Sequence, residues 1–217
     1  MPLEESKVLW KEARTKSMQQ HFFLREVPPS VNLVFEPLTY ENGLQLFELF
    51  KNDADPFVDE RFKSKDTVED YLACMMEYAR FSTKNAAFDW LLKSKTADEY
   101  IGVFHLHDLS NQVFGSANRK ATIGYAIGEQ FRRQGFVREA ITHFSTFLFD
   151  NSNKIKLLVY TDIYNEASIR LIQSLNWREH TDKYVYSDQY AYFELWKDGY
   201  ESFVNDEYRN DEYFNDE

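Results

Sequence analysis

Residues 124–140 include the side chains and glycines of this sequence that are best suited to phosphate binding. The segment reads GYAIGEQFRRQGFVREA and holds three of the seven glycines together with three arginines. Its pattern predicts a strand at 121–127, a basic loop at 128–134 and a helix opening at Gly135. A helix that starts directly after a strand and loop presents unpaired backbone N–H groups, with the positive end of its dipole behind them. Such a turn binds phosphate groups, although a basic turn that only caps a helix has the same composition.

A second polar group follows thirty residues after Gly135. Residues 156–162 predict a buried strand, and the segment Asn-Glu-Ala-Ser at 165–168 opens an amphipathic helix. Asn165 and Ser168 would therefore lie in the first turn of that helix. Asn165 is either a ligand contact or an ordinary N-cap, for which asparagine is a preferred residue.

In this order, the two segments resemble the acyl-CoA site of the GNAT N-acetyltransferases, particularly the ribosomal-protein alanine acetyltransferase branch. The family's pyrophosphate loop, Arg/Gln-x-x-Gly-x-Gly/Ala, stands here as Arg-Arg-Gln-Gly-Phe-Val at 132–137. The family's Asn-x-x-Ser, helix and Gly-Phe stand here at 165–168 and as Asn-Trp at 176–177. The resemblance covers residues 31–197 and implies an α+β GNAT fold, with a mixed, mainly antiparallel central sheet that splays at the acyl-CoA site and is flanked by helices.

The resemblance implies that acetyl-CoA is the co-substrate and that an amine accepts the acetyl group. The residues it assigns to acetyl-CoA binding are Ile127, Arg132, Arg133, Gln134, Gly135, Phe136, Val137, Arg138 and Asn165. Many GNAT enzymes protonate the leaving thiolate with a tyrosine in the helix after the Asn motif, but Ile172 occupies that position here. Ser168 matches the serine that the branch places near the thioester sulfur, so it is the candidate donor or thiolate stabiliser. A serine that only satisfies first-turn backbone donors is the alternative.

The base that would deprotonate the amine is less sharply indicated. His105 and His107 lie on one face of a predicted strand, and histidine suits proton removal near neutral pH. Glu129, and Asp188 in a loop where branch members tend to carry a carboxylate, are rivals. The predicted catalytic set is Ser168, His107 and Asp188, with a water relay as the alternative to a dedicated base. No metal is expected, because the histidine pair has no cysteine partner nearby.

Composition and charge restrict the classes of partner. The net charge of −11 argues against a nucleic-acid-binding surface, which needs a broad basic face. No apolar run reaches the length of a membrane-spanning helix, so no membrane association is expected. The single Cys74 rules out an intramolecular disulfide framework and fits a cytoplasmic location.

We expect three parts: an N-terminal helical extension at 1–30, the GNAT domain at 31–197, and an acidic tail at 198–217. Within the domain the predicted strands are 33–35, 87–94, 100–106, 121–127, 156–162, 184–186 and 190–195, and the helices include 40–50 and 67–81. The predicted function is acetyl transfer to a primary amine, for example a protein N-terminus. A small-molecule amine acetyltransferase and a non-catalytic acyl-CoA-binding protein are the alternatives. The sequence leaves the oligomeric state open.

Overall fold

The computed structural model describes the parts of the chain that build a single central sheet and three of its helices. The described residues are 24, 26–59, 63, 88–107, 120–152, 154, 156–179 and 188–197. The predicted helix at 67–81, the strand at 184–186 and the acidic tail lie outside them, as does the predicted N-terminal helical extension apart from residues 24 and 26–30. The division into three parts therefore stays a prediction. No helix among the described residues is long and apolar enough to cross a membrane.

The sheet has seven strands in the order β1-β2-β3-β4-β5-β7-β6. The strands are β1 Leu33–Pro37, β2 Phe88–Ser94, β3 Tyr100–His107, β4 Lys120–Ile127, β5 Lys156–Asp162, β6 Arg178–Glu179 and β7 Tyr190–Trp196. The helices are α1 Tyr40–Phe50, α2 Phe136–Asn151 and α3 Glu166–Gln173, with a 3₁₀ turn at Glu129–Phe131. All neighbouring strands are antiparallel except β4 and β5, which are parallel. This mixed α+β arrangement is the predicted one. Strand β6 was not predicted, and β7 pairs with β5 and β6.

Helix α2 packs against one face of the sheet and fixes the position of the loop before it. Its buried residues Ala140, Phe144 and Leu148 recur at helical spacing, as expected for an amphipathic helix. The Phe144 ring lies 4.9 Å, centroid to centroid, from the rings of both Trp90 and Phe104. Burial of these aromatic rings anchors the helix to β2 and β3, so the N-terminus of α2 is held at a defined place beside the sheet.

Glu139, in the first turn of α2, ties the segment before β1 to that helix. Its Oε1 accepts hydrogen bonds of 2.6 Å from both Ser30 Oγ and the Asn32 backbone N–H, and its Oε2 accepts one of 2.9 Å from Asn32 Nδ2. Burial favours the neutral acid, but these hydrogen bonds favour the carboxylate more, so the pKa of Glu139 is lowered from its ordinary value.

Glu139→Gln is expected to lower the free energy of unfolding by about 1 kcal/mol at neutral pH. The two carboxylate oxygens of Glu139 accept three hydrogen bonds, and the substitution replaces one of these oxygens with an NH₂ group, which donates instead. Since the native pKa is lowered, this contribution is present above the ordinary carboxyl pKa and is lost as the pH falls through the native value. Denaturant unfolding at neutral and acid pH measures both effects. Glu129→Gln, at an exposed carboxylate, is the control. Equal loss of stability in the two variants, or a pH-independent difference, would contradict this role.

Candidate active site

The sheet opens between β4 and β5, where the resemblance predicted a splay. The two strands are in register only for three pairs, from Lys120 with Lys156 to Thr122 with Leu158. Beyond that point a cavity of about 380 Å³ lies between them, lined by residues of both strands. The opening therefore exposes two strand edges to one cleft, which is a suitable place for an extended ligand.

One side of the cleft carries two hydroxyl groups in contact. Asn165 is the N-cap of α3, and its Oδ1 accepts a 3.1 Å hydrogen bond from the Ser168 backbone N–H. The Ser168 Oγ, on a buried residue, lies 2.8 Å from the Tyr125 Oη on β4. Burial raises the pKa of Tyr125 to about 12, with the Ser168 hydrogen bond acting against that shift. The phenol is therefore neutral throughout the physiological pH range.

Ile172 lies one helical turn after Ser168, and its side chain is fully buried in the core. The position at which many GNAT enzymes carry a tyrosine is thus apolar packing in this chain. Tyr125, which no local sequence pattern marks, brings a phenol to Ser168 from β4 instead. The sequence separation of 43 residues hides this contact from any local pattern.

The other side of the cleft carries a buried histidine and carboxylate pair. His105 on β3 lies opposite Asp89 on β2, and the His105 Nδ1 is 2.6 Å from the Asp89 Oδ1. Asp89 is 0% exposed, so its carboxylate is held inside the sheet rather than in water. His107 lies two residues further along β3, with its ring 5.7 Å from the His105 ring. Both imidazoles line the cleft, as their shared strand face predicts.

Four further residues line this cavity, and we call them its acidic and aromatic rim: Asp59, Asp162, Phe57 and Tyr160. Asp162 also shapes the end of β5, since its Oδ1 accepts a 2.8 Å hydrogen bond from the Tyr164 backbone N–H. The two carboxylates favour a positively charged ligand over an anion in the cavity.

The N-terminus of α2 provides a separate site for an anion. Its N-cap, Gly135, has φ +87° and no side chain to accept a first-turn N–H, and Arg133 in the preceding loop has φ +62°. Among the described residues, none has an atom within 4 Å of a Cβ added at Gly135, so this part of the chain leaves the space in front of the helix open. A helix end that is uncapped and open in this way leaves its first N–H groups available to phosphate oxygens.

The predicted acetyl-CoA residues do not all face that opening. The Arg132 side chain is bound by other residues of the protein. Its guanidinium pairs with Asp53 and, at 3.1 Å, with Asp55. Its Nε donates a hydrogen bond of 3.0 Å to the Ile127 carbonyl. These contacts tie the end of β4 to the turn after α1, so they hold the loop in place.

Of the remaining loop residues, Arg133, Gln134 and Arg138 are exposed. Arg138 donates to the Ser174 Oγ at 2.6 Å, which connects α2 to the end of α3. Phe136 and Val137 pack against the core.

The structure does not bring every predicted catalytic residue together. Ser168 and His107 line the cleft, and so does His105. Asp188 is exposed in the turn before β7, and Glu129 is exposed in the 3₁₀ turn; neither lines the cavity. Asp89 was missed, although a carboxylate inside the apolar run Phe-Asp-Trp-Leu-Leu at 88–92 is the kind of buried polar residue that needs a partner.

The chain belongs to the GNAT acetyltransferase family: the model of the acetyltransferase (GNAT) domain matches residues 32–178. This protein is therefore an acetyltransferase with the GNAT fold, as the sequence resemblance implied.

Particular relatives agree with this assignment. The uncharacterized N-acetyltransferase YoaA of Bacillus subtilis (strain 168) is 24% identical over 151 residues, which span 68% of this chain and 80% of that protein.

Among solved structures, the ribosomal-protein acetyltransferase RimL in complex with coenzyme A superposes with a TM-score of 0.60 at 15% identity, over 79% of this chain and 98% of that one. The microcin self-immunity acetyltransferase MccE, in complex with acetyl-CoA and AMP, superposes with a TM-score of 0.61 at 14% identity, over 79% and 99%. At these identities the two structures support the fold.

Proposed function

We propose that this protein transfers the acetyl group of acetyl-CoA to a primary amine, with a protein N-terminus as the acceptor. The observation that carries the proposal is the cleft between β4 and β5, because it has a hydroxyl pair on one side and a histidine and carboxylate pair on the other. A thioester held between them would have a hydrogen-bond donor at its leaving group and a base near the incoming amine.

Acetyl-CoA would bind with its pyrophosphate at the N-terminus of α2. Gly135 leaves that space open, and the first-turn N–H groups point into it. Arg133 and Arg138 are exposed beside it and add positive charge, whereas Arg132 acts on the loop through Asp53 and Asp55. The pantetheine arm would then follow the open edge of β4 into the cleft.

His105 is the base that the geometry favours. Asp89 accepts from the His105 Nδ1 in the tautomer that leaves Nε2 as the basic nitrogen, and a buried carboxylate stabilises the imidazolium that forms when the amine proton arrives. The predicted catalytic set contained His107, whose ring lies 5.7 Å from the His105 ring. His107 lines the cleft beside His105. Asp188, the rival base in the predicted catalytic set, does not line the cavity, so we assign it no part in proton removal.

The residues of the acidic and aromatic rim indicate which class of acceptor the cleft would bind. Asp59 and Asp162 attract an ammonium group, and Phe57 and Tyr160 offer apolar surface next to it. A peptide that begins with a small residue presents an ammonium group on a narrow stem, which suits a cavity of about 380 Å³. RimL, a ribosomal-protein acetyltransferase, has the same fold. A small cationic amine such as a polyamine would satisfy the same rim and is the second candidate.

A direct comparison of acceptors tests this choice. Purified protein with acetyl-CoA is offered peptides with a free N-terminus, the same peptides with a blocked N-terminus and one internal lysine, and free polyamines. Mass spectrometry locates the added acetyl group. We expect acetylation of the free peptide N-terminus. Acetylation of polyamines alone would replace the protein acceptor with a small-molecule one and leave the reaction class intact.

A further inference from the structure

Among the groups in the cleft, the phenol of Tyr125 is connected to the proposed reaction only through its contact with Ser168. Tyr125 lies on β4, in the part of the strand that has separated from β5. Its Oη lies 2.8 Å from the Ser168 Oγ, and its ring is half-buried against the core. The contact thus joins the strand that borders the cleft to the helix that carries Ser168.

Either hydroxyl can donate in this 2.8 Å contact. A phenol is a much stronger acid than an aliphatic alcohol, which favours Tyr125 as the donor and the Ser168 Oγ as the acceptor. The Ser168 proton is then directed to another acceptor. Because burial raises the pKa of Tyr125 to about 12, the phenol stays a donor at every pH at which the protein would work.

We propose that Tyr125 is a positioning residue: by donating to the Ser168 Oγ, it orients the Ser168 hydroxyl to donate to the sulfur of acetyl-CoA. This inference rests on the proposed function, because it needs a thioester in the cleft.

As the amine nitrogen forms its bond to the acetyl carbon, the carbon–sulfur bond breaks and its electron pair goes to sulfur. Ser168 stabilises the thiolate through its hydrogen bond and keeps its own proton. An acceptor that enters as an ammonium group first loses one proton to solvent water and attacks as the neutral amine. His105 receives the second proton, which the nitrogen loses once it has bonded to the acetyl carbon, and the thiolate takes a proton from solvent after release.

The surrounding residues explain why this role falls to Tyr125. Residue 172, one turn after Ser168 on α3, is a fully buried isoleucine, so this helix supplies no phenol at that position. The backbone N–H of Ser168 is satisfied by Asn165, which fixes the start of the helix and leaves the hydroxyl to be oriented by another group. Tyr125 is that group, and it acts only through Ser168.

A titration of bound coenzyme A tests the proposal without an acceptor. The pKa of its thiol is measured from the pH dependence of alkylation by iodoacetamide, with coenzyme A free and saturated with protein. In the wild type we expect a pKa about one unit below that of free coenzyme A, because a hydrogen-bond donor favours the thiolate. Tyr125→Phe should remove roughly half of that shift, and Ser168→Ala nearly all of it.

Two comparisons distinguish a role of Tyr125 in orienting the Ser168 hydroxyl from a general role in stabilising the fold. Tyr164→Phe, which removes the hydroxyl of a tyrosine that is 77% exposed after β5, should leave the shift unchanged. The affinity for coenzyme A and the melting temperature should be the same in Tyr125→Phe as in the wild type. In the double variant, loss of the Tyr125 hydroxyl should add nothing to the effect of Ser168→Ala, because Tyr125 acts through that serine.

The same variants have a kinetic counterpart. Tyr125→Phe should lower kcat by about 10-fold and Ser168→Ala by on the order of 10²-fold, with the KM for acetyl-CoA nearly constant. If the wild type binds coenzyme A and the thiol pKa is equal in the wild type and Tyr125→Phe, the inference about Tyr125 is wrong and the proposed function stands. If the wild type does not bind coenzyme A, both are wrong.

Discussion

Replacement of His105 by glutamine is expected to lower kcat for amine acetylation by on the order of 10³-fold, because general base catalysis by a positioned histidine contributes about 10² to 10⁴. Glutamine keeps a side chain of similar length at the position on β3 but has no basic nitrogen. Asp89→Asn should cost a comparable factor, because the amide can donate to the His105 Nδ1 and hold the tautomer whose Nε2 carries the proton and is not basic. Steady-state kinetics with a saturating amine measures both variants.

The two neighbouring histidines give this prediction its control. His107→Gln changes the adjacent ring on the same strand face and should have a clearly smaller effect than His105→Gln. The affinity for coenzyme A should not change in any of the three variants, because the histidines lie on the side of the cleft that we propose binds the acceptor. A kcat for His105→Gln within a few-fold of the wild type would show that water or another residue removes the proton.

Gly135→Asp is expected to weaken coenzyme A binding by on the order of 10²-fold. The new carboxylate would enter the open space in front of α2, where the pyrophosphate is proposed to bind, and at about 4 Å two charges near a protein surface repel by a few kcal/mol. Isothermal titration calorimetry gives the dissociation constant. The melting temperature reports the separate cost of a side chain at φ +87°.

Gly135→Asn is the matched variant for this experiment. Asparagine has nearly the same size as aspartate and, like it, tolerates the left-handed conformation better than other side chains do. The two variants should therefore lose similar stability, whereas asparagine should weaken binding by less than about 10-fold. Equal dissociation constants for the two variants would mean that no phosphate lies against Gly135.

The sequence predicts well those features that depend on a residue and its immediate neighbours along the chain. The turn into α2 is set by Gly135 and its neighbours, and its left-handed N-cap is the conformation for which glycine is favoured. Asn176 at the end of α3 has φ +59°, as expected for an asparagine in place of a C-terminal glycine. In both cases the residue type reports its own backbone conformation, so no knowledge of the sheet is needed.

The features that the sequence does not reveal depend on register between distant segments. Asp89 meets His105 only because β2 and β3 pair in one particular alignment. Arg132 appears in the sequence as a phosphate ligand, yet its partner Asp53 lies 79 residues earlier and draws its guanidinium inward. A shift of one residue in β2 or β3 would place Asp89 and His105 on opposite faces of the sheet, so their meeting is a property of the folded sheet.

We propose that the cleft between β4 and β5 transfers an acetyl group from acetyl-CoA to an amine. The most direct measurement is the release of coenzyme A thiol from acetyl-CoA, followed with and without a panel of peptide and small-molecule amines. We predict release that depends on a primary amine, with one acetyl group found on the amine for each thiol released, and loss of that release in His105→Gln. Tight binding of coenzyme A without amine-dependent release from any member of the panel would contradict the account.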